Sequence, residues 1–168
     1  MFGLFKKKEE NKPEPAAPAS RPVASGIAFY PDLIEHLVAD HHRLFQLYGQ
    51  IKESYAQRNF AVLSKCIHDF GNLIRSHLLT ENMRLYIYLQ QKVASDEVNT
   101  QLVRSFRKEM DGIAKVALDF LAHYEAVESK SVQELAAFGP ELEKLGGVLA
   151  ERMKREEETL YPLYAQTY

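Results

Sequence analysis

A chain of 168 residues, of which 46% are hydrophobic, is long enough for one domain with a buried core. Its formal net charge is -2 and its pI is about 6.3, so no basic field suggests nucleic acid as a partner. The single cysteine, Cys66, excludes an internal disulfide and fits a reducing compartment, and no apolar run approaches the roughly 20 residues of a membrane span.

The first 28 residues are expected to form a flexible tail ahead of a folded domain at residues 29–168. Residues 9–26 are rich in Glu, Lys, Pro, Ala and Ser, a composition that cannot build a core. Residues 1–8 place a short apolar group before a run of lysines and lack the apolar core of a secretory signal. They suit either a disordered, solubilising terminus or contact with an anionic membrane surface. The sequence thus predicts a cytoplasmic protein, and in the second of these two cases its tail contacts the inner face of the membrane.

Two long amphipathic helices are predicted in the first half of the domain. The first begins near Pro31, since proline suits a first turn, and its apolar residues recur three and four positions apart. The second covers residues 59–94 with the same rhythm. Three inward positions are polar instead: His41 on the first helix, and His77 and Glu81, four residues apart, on the second. Polar groups aimed into a core must be satisfied by a metal, a salt bridge or water.

Two further helices are predicted in the second half. Residues 95–97 are typical of an N-cap with acids in the first turn, and they open the third helix. Gly139 and Pro140 are expected to end a short helical turn and to start the fourth helix, because proline fits a first helical position. The inward side of the fourth helix carries two charged residues, Arg152 and Glu156.

Four such helices with short connections predict an all-α fold, an antiparallel up-down four-helix bundle. Counted from the turn between their helices, His41 and His77 lie at similar heights, at about 1.5 Å of rise per residue. Arg152 and Glu156 fall in the first half of the last helix. We therefore expect these residues and Glu81 to form one polar layer in an otherwise apolar core.

The polar positions resemble the hemerythrin-like (HHE cation-binding) family over residues 31–165. The family has Asp-His on its first helix, as at residues 40–41, and His-x-x-x-Glu on its second, as at residues 77–81. Its fourth helix ends in Glu-Glu-x-x-Leu-[Phe/Tyr]-Pro, as at residues 156–162. The resemblance implies a four-helix bundle that holds an oxygen-bridged pair of irons through histidines and two carboxylates.

Two histidines of the family pattern are replaced in this chain. By register, Met110 stands where the third helix of the family has histidine, and Arg152 stands at the histidine of the fourth helix. Arg152 places a permanent cation where the second metal is expected, and its guanidinium would offset the repulsion between the two glutamates. The metal ligands that the resemblance leaves in place, about half of a two-iron site, are His41, His77, Glu81 and Glu156.

The sequence leaves three interpretations of the layer open. In the first, a single iron or other transition metal binds two histidines and two carboxylates, a chemically sensible set of nitrogen and oxygen ligands. In the second, no metal binds, and Arg152 and the histidines satisfy the glutamates as a buried network. In the third, two metals bind with substitute ligands, although a buried cation disfavours a second one. The expected cofactor is thus iron, as one ion, two ions or none.

We expect a hemerythrin-like iron-binding protein with an incomplete di-iron site that senses oxygen, redox state or iron. Reversible oxygen carriage is not expected, since that chemistry needs the missing ligands. The alternative is a metal-free four-helix module with a regulatory protein partner, similar in architecture to the regulator-of-sigma-D (anti-sigma) family. An enzyme is not expected, because no nucleophile with an adjacent base and no open cofactor motif is visible.

Overall fold

The computed structural model describes residues 28–165, and this part of the chain folds as an antiparallel four-helix bundle without strands. The predicted fold class is confirmed, while the predicted tail up to residue 27 lies outside the described residues. Among residues 28–165, no helix has the apolar run that a bilayer crossing requires. The main helices are α1 (Leu33–Ala56), α2 (Phe60–Thr80), α3 (Ile87–Lys92), α4 (Glu97–Tyr124) and α5 (Val132–Arg155).

Two of the four long helical segments contain a wider, π-helical stretch. One stretch, Glu81–Tyr86, joins α2 to α3, so these elements form one continuous segment where the sequence predicted one helix. The other, Glu156–Leu160, extends α5 and leads into a short 3₁₀ helix at Tyr161–Tyr164. A further 3₁₀ turn at Val127–Ser129 connects α4 to α5. Each π-helical stretch begins at a glutamate of the polar layer.

The prediction that Pro140 starts the last helix is wrong, because α5 begins at Val132 and runs through the proline. The start is fixed by a capping box, in which Ser131 Oγ accepts from the Glu134 amide at 3.2 Å and the Glu134 carboxylate accepts from the Ser131 amide at 2.9 Å. Pro140 is exposed, while Phe138 is buried on the same helix. The packing of this apolar face outweighs the single hydrogen bond that a proline removes.

A layer of polar side chains separates two apolar clusters in the core. Leu37 belongs to one cluster and Leu44 to the other, and His41 lies between them on α1. On the second helical segment, Ile74 and Leu85 flank the layer in the same way. No side chain of the layer is more than 4% exposed, and its members are His41, His77, Glu81, Arg152 and Glu156. The bundle therefore buries several ionisable groups at one level.

Candidate metal centre

His41 reaches the layer from the middle of α1 and contacts a carboxylate on each side of its ring. Its Nε2 lies 3.3 Å from Glu156 Oε2 inside the layer, and its Nδ1 lies 2.7 Å from Glu157 Oε1. Burial opposes protonation of the ring, but the hydrogen bonds to Glu156 and Glu157 raise the pKa of His41 above its ordinary value. A metal-binding histidine commonly has such a carboxylate behind it, which fixes the orientation of the ring.

His77 has the same arrangement on α2, with weaker contacts. Its Nε2 lies 3.9 Å from Glu81 Oε2, and its Nδ1 lies 3.5 Å from Asp40 Oδ2. This Nδ1 is buried and forms no hydrogen bond within the described part of the chain. Buried polar atoms nearly always have a partner, so the protein alone leaves His77 under-satisfied. The other ring nitrogen, Nε2, faces the layer beyond hydrogen-bond distance of Glu81 and is available to an additional ligand.

The two glutamates of the layer lie in different electrostatic surroundings. Burial opposes ionisation of Glu156, but hydrogen bonds to His41 and Arg152 hold its pKa below the ordinary value. Burial and then the charge of Glu156 raise the pKa of Glu81 well above the ordinary value, against the attraction of Arg152 and a 3.1 Å hydrogen bond from the Tyr161 hydroxyl. Without a metal, Glu156 is therefore more readily ionised than Glu81. A cation between them would favour the charged form of both.

Arg152 directs each of its three nitrogens to a separate partner. Nε donates to Glu156 at 2.5 Å, Nη2 donates to the Tyr86 hydroxyl at 2.7 Å, and Nη1 donates to Glu109 Oε2 at 3.2 Å. The guanidinium also lies over the Phe106 ring, 4.6 Å from its centroid. These contacts fix a permanent cation in the layer. A second metal ion placed beside it would meet strong repulsion in this buried setting.

Met110 borders a small cavity beside the layer. The cavity has a volume of about 30 Å³, and its polar lining comes from His77, Glu81, Arg152 and Glu156. This volume suits about two water molecules or a ligand of similar size. Met110 is buried and presents a thioether, which is a softer ligand than imidazole and less suited to non-haem iron. The rest of the lining is apolar and comprises Ile74, Leu78, Ile113, Ala114, Leu149 and Met153.

Tyr161 and Glu157 contact the proposed ligands, although the sequence pattern did not predict these contacts. The Tyr161 hydroxyl lies 3.2 Å from His41 Nε2 and 3.1 Å from Glu81 Oε1, inside the layer. Glu157 lies behind His41, outside the layer. The available signals were the second glutamate after Glu156 and the hydroxyl of a tyrosine at a position where the family pattern also allows phenylalanine. Neither feature of the sequence predicts which side chains these residues contact, because the contacts depend on how the helices pack.

The donor set fits one transition-metal ion better than two. His41, His77 and Glu156 each offer a ligand atom, and these atoms lie within 4.8 Å of one another. Glu81, the first residue of the π-helical stretch after α2, lies beside His77 at the same level. Imidazole and carboxylate together suit iron and other first-row transition metals. The place of a second ion is taken by the guanidinium of Arg152 and the thioether that borders the cavity.

A comparison with known proteins finds a family match that covers most of the chain. The matching model is that of the hemerythrin HHE cation binding domain, over residues 32–164. Those residues include all four long helical segments and the whole polar layer. No curated protein matches the chain, and no solved structure matches it.

Proposed function

The chain belongs to the hemerythrin HHE cation-binding family, and on that premise we propose that its polar layer holds a single iron ion. The observation that carries the proposal is the convergence of two imidazoles and two carboxylates at one buried level, with a further carboxylate behind each imidazole. The Nε2 atom of His77 supports it, because this nitrogen faces the layer, lies 3.9 Å from Glu81 Oε2, beyond hydrogen-bond distance, and is available to a metal. The proposed ligands are His41, His77, Glu81 and Glu156.

Iron would supply a redox-active centre that can accept a small ligand, and the surrounding residues prepare the site for it. Glu157 orients the His41 imidazole from outside the layer, and Asp40 lies 3.5 Å behind His77 Nδ1. Arg152 favours the charged form of Glu156 and takes the place of a second cation. The cavity beside Met110 has room for a diatomic molecule or water next to the layer.

We propose a sensing role for this centre rather than reversible oxygen carriage or catalysis. The ligands of a second iron, which a two-iron carrier needs, are replaced by Met110 and Arg152. The charged groups around the layer are engaged with one another, which suits a site that responds to a ligand more than a site that transforms one. The signal would be oxygen, redox state or iron itself.

A second candidate function, a metal-free module that binds a regulatory protein partner, is favoured by a different observation. Arg152 already satisfies Glu156, Glu109 and Tyr86 without any ion. A neutral Glu81 paired with the Tyr161 hydroxyl would complete a stable buried network. We place this candidate second because such a network gives His77 Nε2 no hydrogen bond to Glu81, whose Oε2 lies 3.9 Å away.

Metal analysis of the purified protein after loading with ferrous iron tests the proposal. We expect wild type to retain iron through desalting and His77→Ala to lose it. His68→Ala is the matched control, since His68 is an exposed histidine on the same helix and should leave the iron content unchanged. Retention of iron by His77→Ala, or an iron-free wild type, would reject the proposed centre.

A further inference from the structure

We infer that Tyr161 is a fifth ligand of the metal centre and binds the ion through its phenolate oxygen. The inference rests on the proposed function, because it requires that the layer holds iron. It extends the donor set from two histidines and two glutamates to include a phenolate. It also predicts a coloured ferric protein, which the four ligands alone do not.

The distances around the Tyr161 hydroxyl are those of neighbouring ligands in one coordination shell. Its oxygen lies 3.2 Å from His41 Nε2 and 3.1 Å from Glu81 Oε1. His41 Nε2 lies 3.3 Å from Glu156 Oε2 in turn. Ligand atoms about 2.1 Å from a metal and at right angles to one another are roughly 3 Å apart. The hydroxyl therefore lies where an adjacent ligand atom belongs.

The π-helical stretch Glu156–Leu160 explains how Tyr161 reaches the layer. Residues five apart in an α-helix differ in direction by about 140°, so an α-helical continuation would turn Tyr161 away from Glu156. The i to i+5 hydrogen bonding of a π-helix brings residues five apart close to the same face. The stretch therefore directs both side chains toward the same site.

Packing holds the Tyr161 ring in this position. The side chain is 3% exposed, and its ring lies nearly parallel to the His41 ring, with an interplanar angle of 20° and centroids 5.7 Å apart. Pro162 follows directly in the 3₁₀ helix and restricts the backbone there. A buried ring with few alternative rotamers keeps its oxygen at a fixed distance from the proposed ligands.

Charge balance favours a phenolate once ferric iron is present. A ferric ion carries three positive charges, and Glu81, Glu156 and a Tyr161 phenolate together carry three negative charges. These charges cancel, and Glu109, 3.2 Å from Arg152 Nη1, offsets the guanidinium charge, which lowers the desolvation penalty of a buried ion. If iron binds there, the Tyr161 phenol would lose its proton to solvent as its oxygen becomes a ligand, with no change in oxidation state.

The visible spectrum of the ferric-loaded protein tests this inference, because a phenolate bound to ferric iron gives a charge-transfer band. We expect the band in wild type and its complete loss in Tyr161→Phe, with the iron content of the variant retained. Tyr86→Phe is the matched control: Tyr86 is also buried beside the layer, but its hydroxyl contacts Arg152. This control should keep the band. Reduction to ferrous iron should bleach the band, and reoxidation should restore it.

The outcomes separate the inference from the proposed function. The tyrosine ligand would be rejected if fully iron-loaded ferric wild type lacked the band, or if Tyr161→Phe kept it. Either result would be compatible with the proposed iron centre. Wild type without iron would overturn both. Resonance Raman spectra of wild type, searched for tyrosinate vibrations, need no variant, so a poorly folded Tyr161→Phe would not prevent a decision.

Discussion

Arg152 illustrates how one side chain can decide what a buried site holds. It offsets the charge of Glu156, contacts Glu109 and Tyr86, and stands where the family pattern has histidine. A neighbouring arginine, Arg155, also donates to Glu109 and lies over the Phe106 ring, but its side chain is 40% exposed. The two arginines therefore make similar contacts at very different depths. Depth decides how much each ion pair contributes, since buried pairs are costly to break and exposed pairs are screened.

Replacing each arginine by alanine in the metal-free protein tests this difference. Arg152→Ala removes the guanidinium from the buried Glu156 carboxylate and leaves only His41 beside it, so we expect a loss of about 3–5 kcal/mol in the free energy of unfolding. Arg155→Ala should lose less than about 1 kcal/mol. Urea melts with chelator present would measure both values. An Arg152→Ala variant as stable as Arg155→Ala would contradict the role given to Arg152.

The pKa directions in the layer predict how the stability of the metal-free protein depends on pH. Burial and Glu156 raise the pKa of Glu81, so the native state keeps a proton that the unfolded chain releases above about pH 4.5. This contribution to stability is complete below that pH and is lost as pH rises through the folded pKa. His41, whose pKa is raised by Glu156 and Glu157 against the effect of burial, acts in the same direction above about pH 6.5.

We therefore expect the metal-free protein to lose stability between about pH 5.5 and about pH 8. The lowered pKa of Glu156 acts oppositely, but its effect falls below about pH 4.5, outside this window. Glu81→Gln should flatten the profile, because an amide cannot release a proton. Urea melts across this window, with chelator, provide the measurement. A stability that rises with pH in wild type would show that the assigned directions are wrong.

Helix α5 approaches α1 closely through Gly146. A methyl group at this position would overlap the ring of Tyr48, whose hydroxyl donates to the Leu142 carbonyl at 3.4 Å. The adjacent Gly147 is exposed, and a methyl group there would meet nothing within 4 Å. Two consecutive glycines on one helix thus differ only in what they face. The helix that carries Arg152 and Glu156 is held against α1 by this contact.

Alanine at each glycine should separate packing from helix propensity. Gly147→Ala is expected to stabilise the protein by about 0.5–1 kcal/mol, since alanine restricts the unfolded chain and favours helix. Gly146→Ala should destabilise it by about 1–3 kcal/mol, because Tyr48 must move and the two helices must separate slightly. Thermal melts of the two variants beside wild type give the comparison. Equal gains in both variants would show that α1 and α5 are not in close contact there.

Local patterns in the sequence account for the helices and for the level of the layer. The spacing of apolar residues and the replacement of Met110 and Arg152 are visible in the sequence, because they depend on period and register. Two features depend on packing against other helices, which no local sequence pattern predicts. They are the continuation of α5 through Pro140 and the two π-helical stretches. The same holds for Tyr161, whose approach to His41 follows from the second π-helical stretch.

For the N-terminal residues 1–8, ahead of the bundle in the sequence, we propose contact with an anionic membrane surface. Residues 1–8 lie outside the described structure, so the proposal rests on their lysines, each of which contributes about 1 kcal/mol at such a surface. Deleting residues 1–8 should abolish sedimentation with anionic vesicles and leave the melting temperature unchanged. Replacing the three lysines by glutamine is the matched control, and it should also abolish sedimentation. Equal sedimentation of full-length and truncated protein, or none by either, would reject the contact.

The most direct test of the single-iron centre is the number of irons that the bundle binds. Ferrous iron titrated without oxygen into chelator-treated protein, followed by desalting and metal analysis, gives that number for wild type and for the double variant Met110→His, Arg152→His. We expect one iron per chain in wild type, because Arg152 occupies the second position. The double variant should bind two, because it restores both missing imidazoles. Two irons in wild type, or none, would contradict the account.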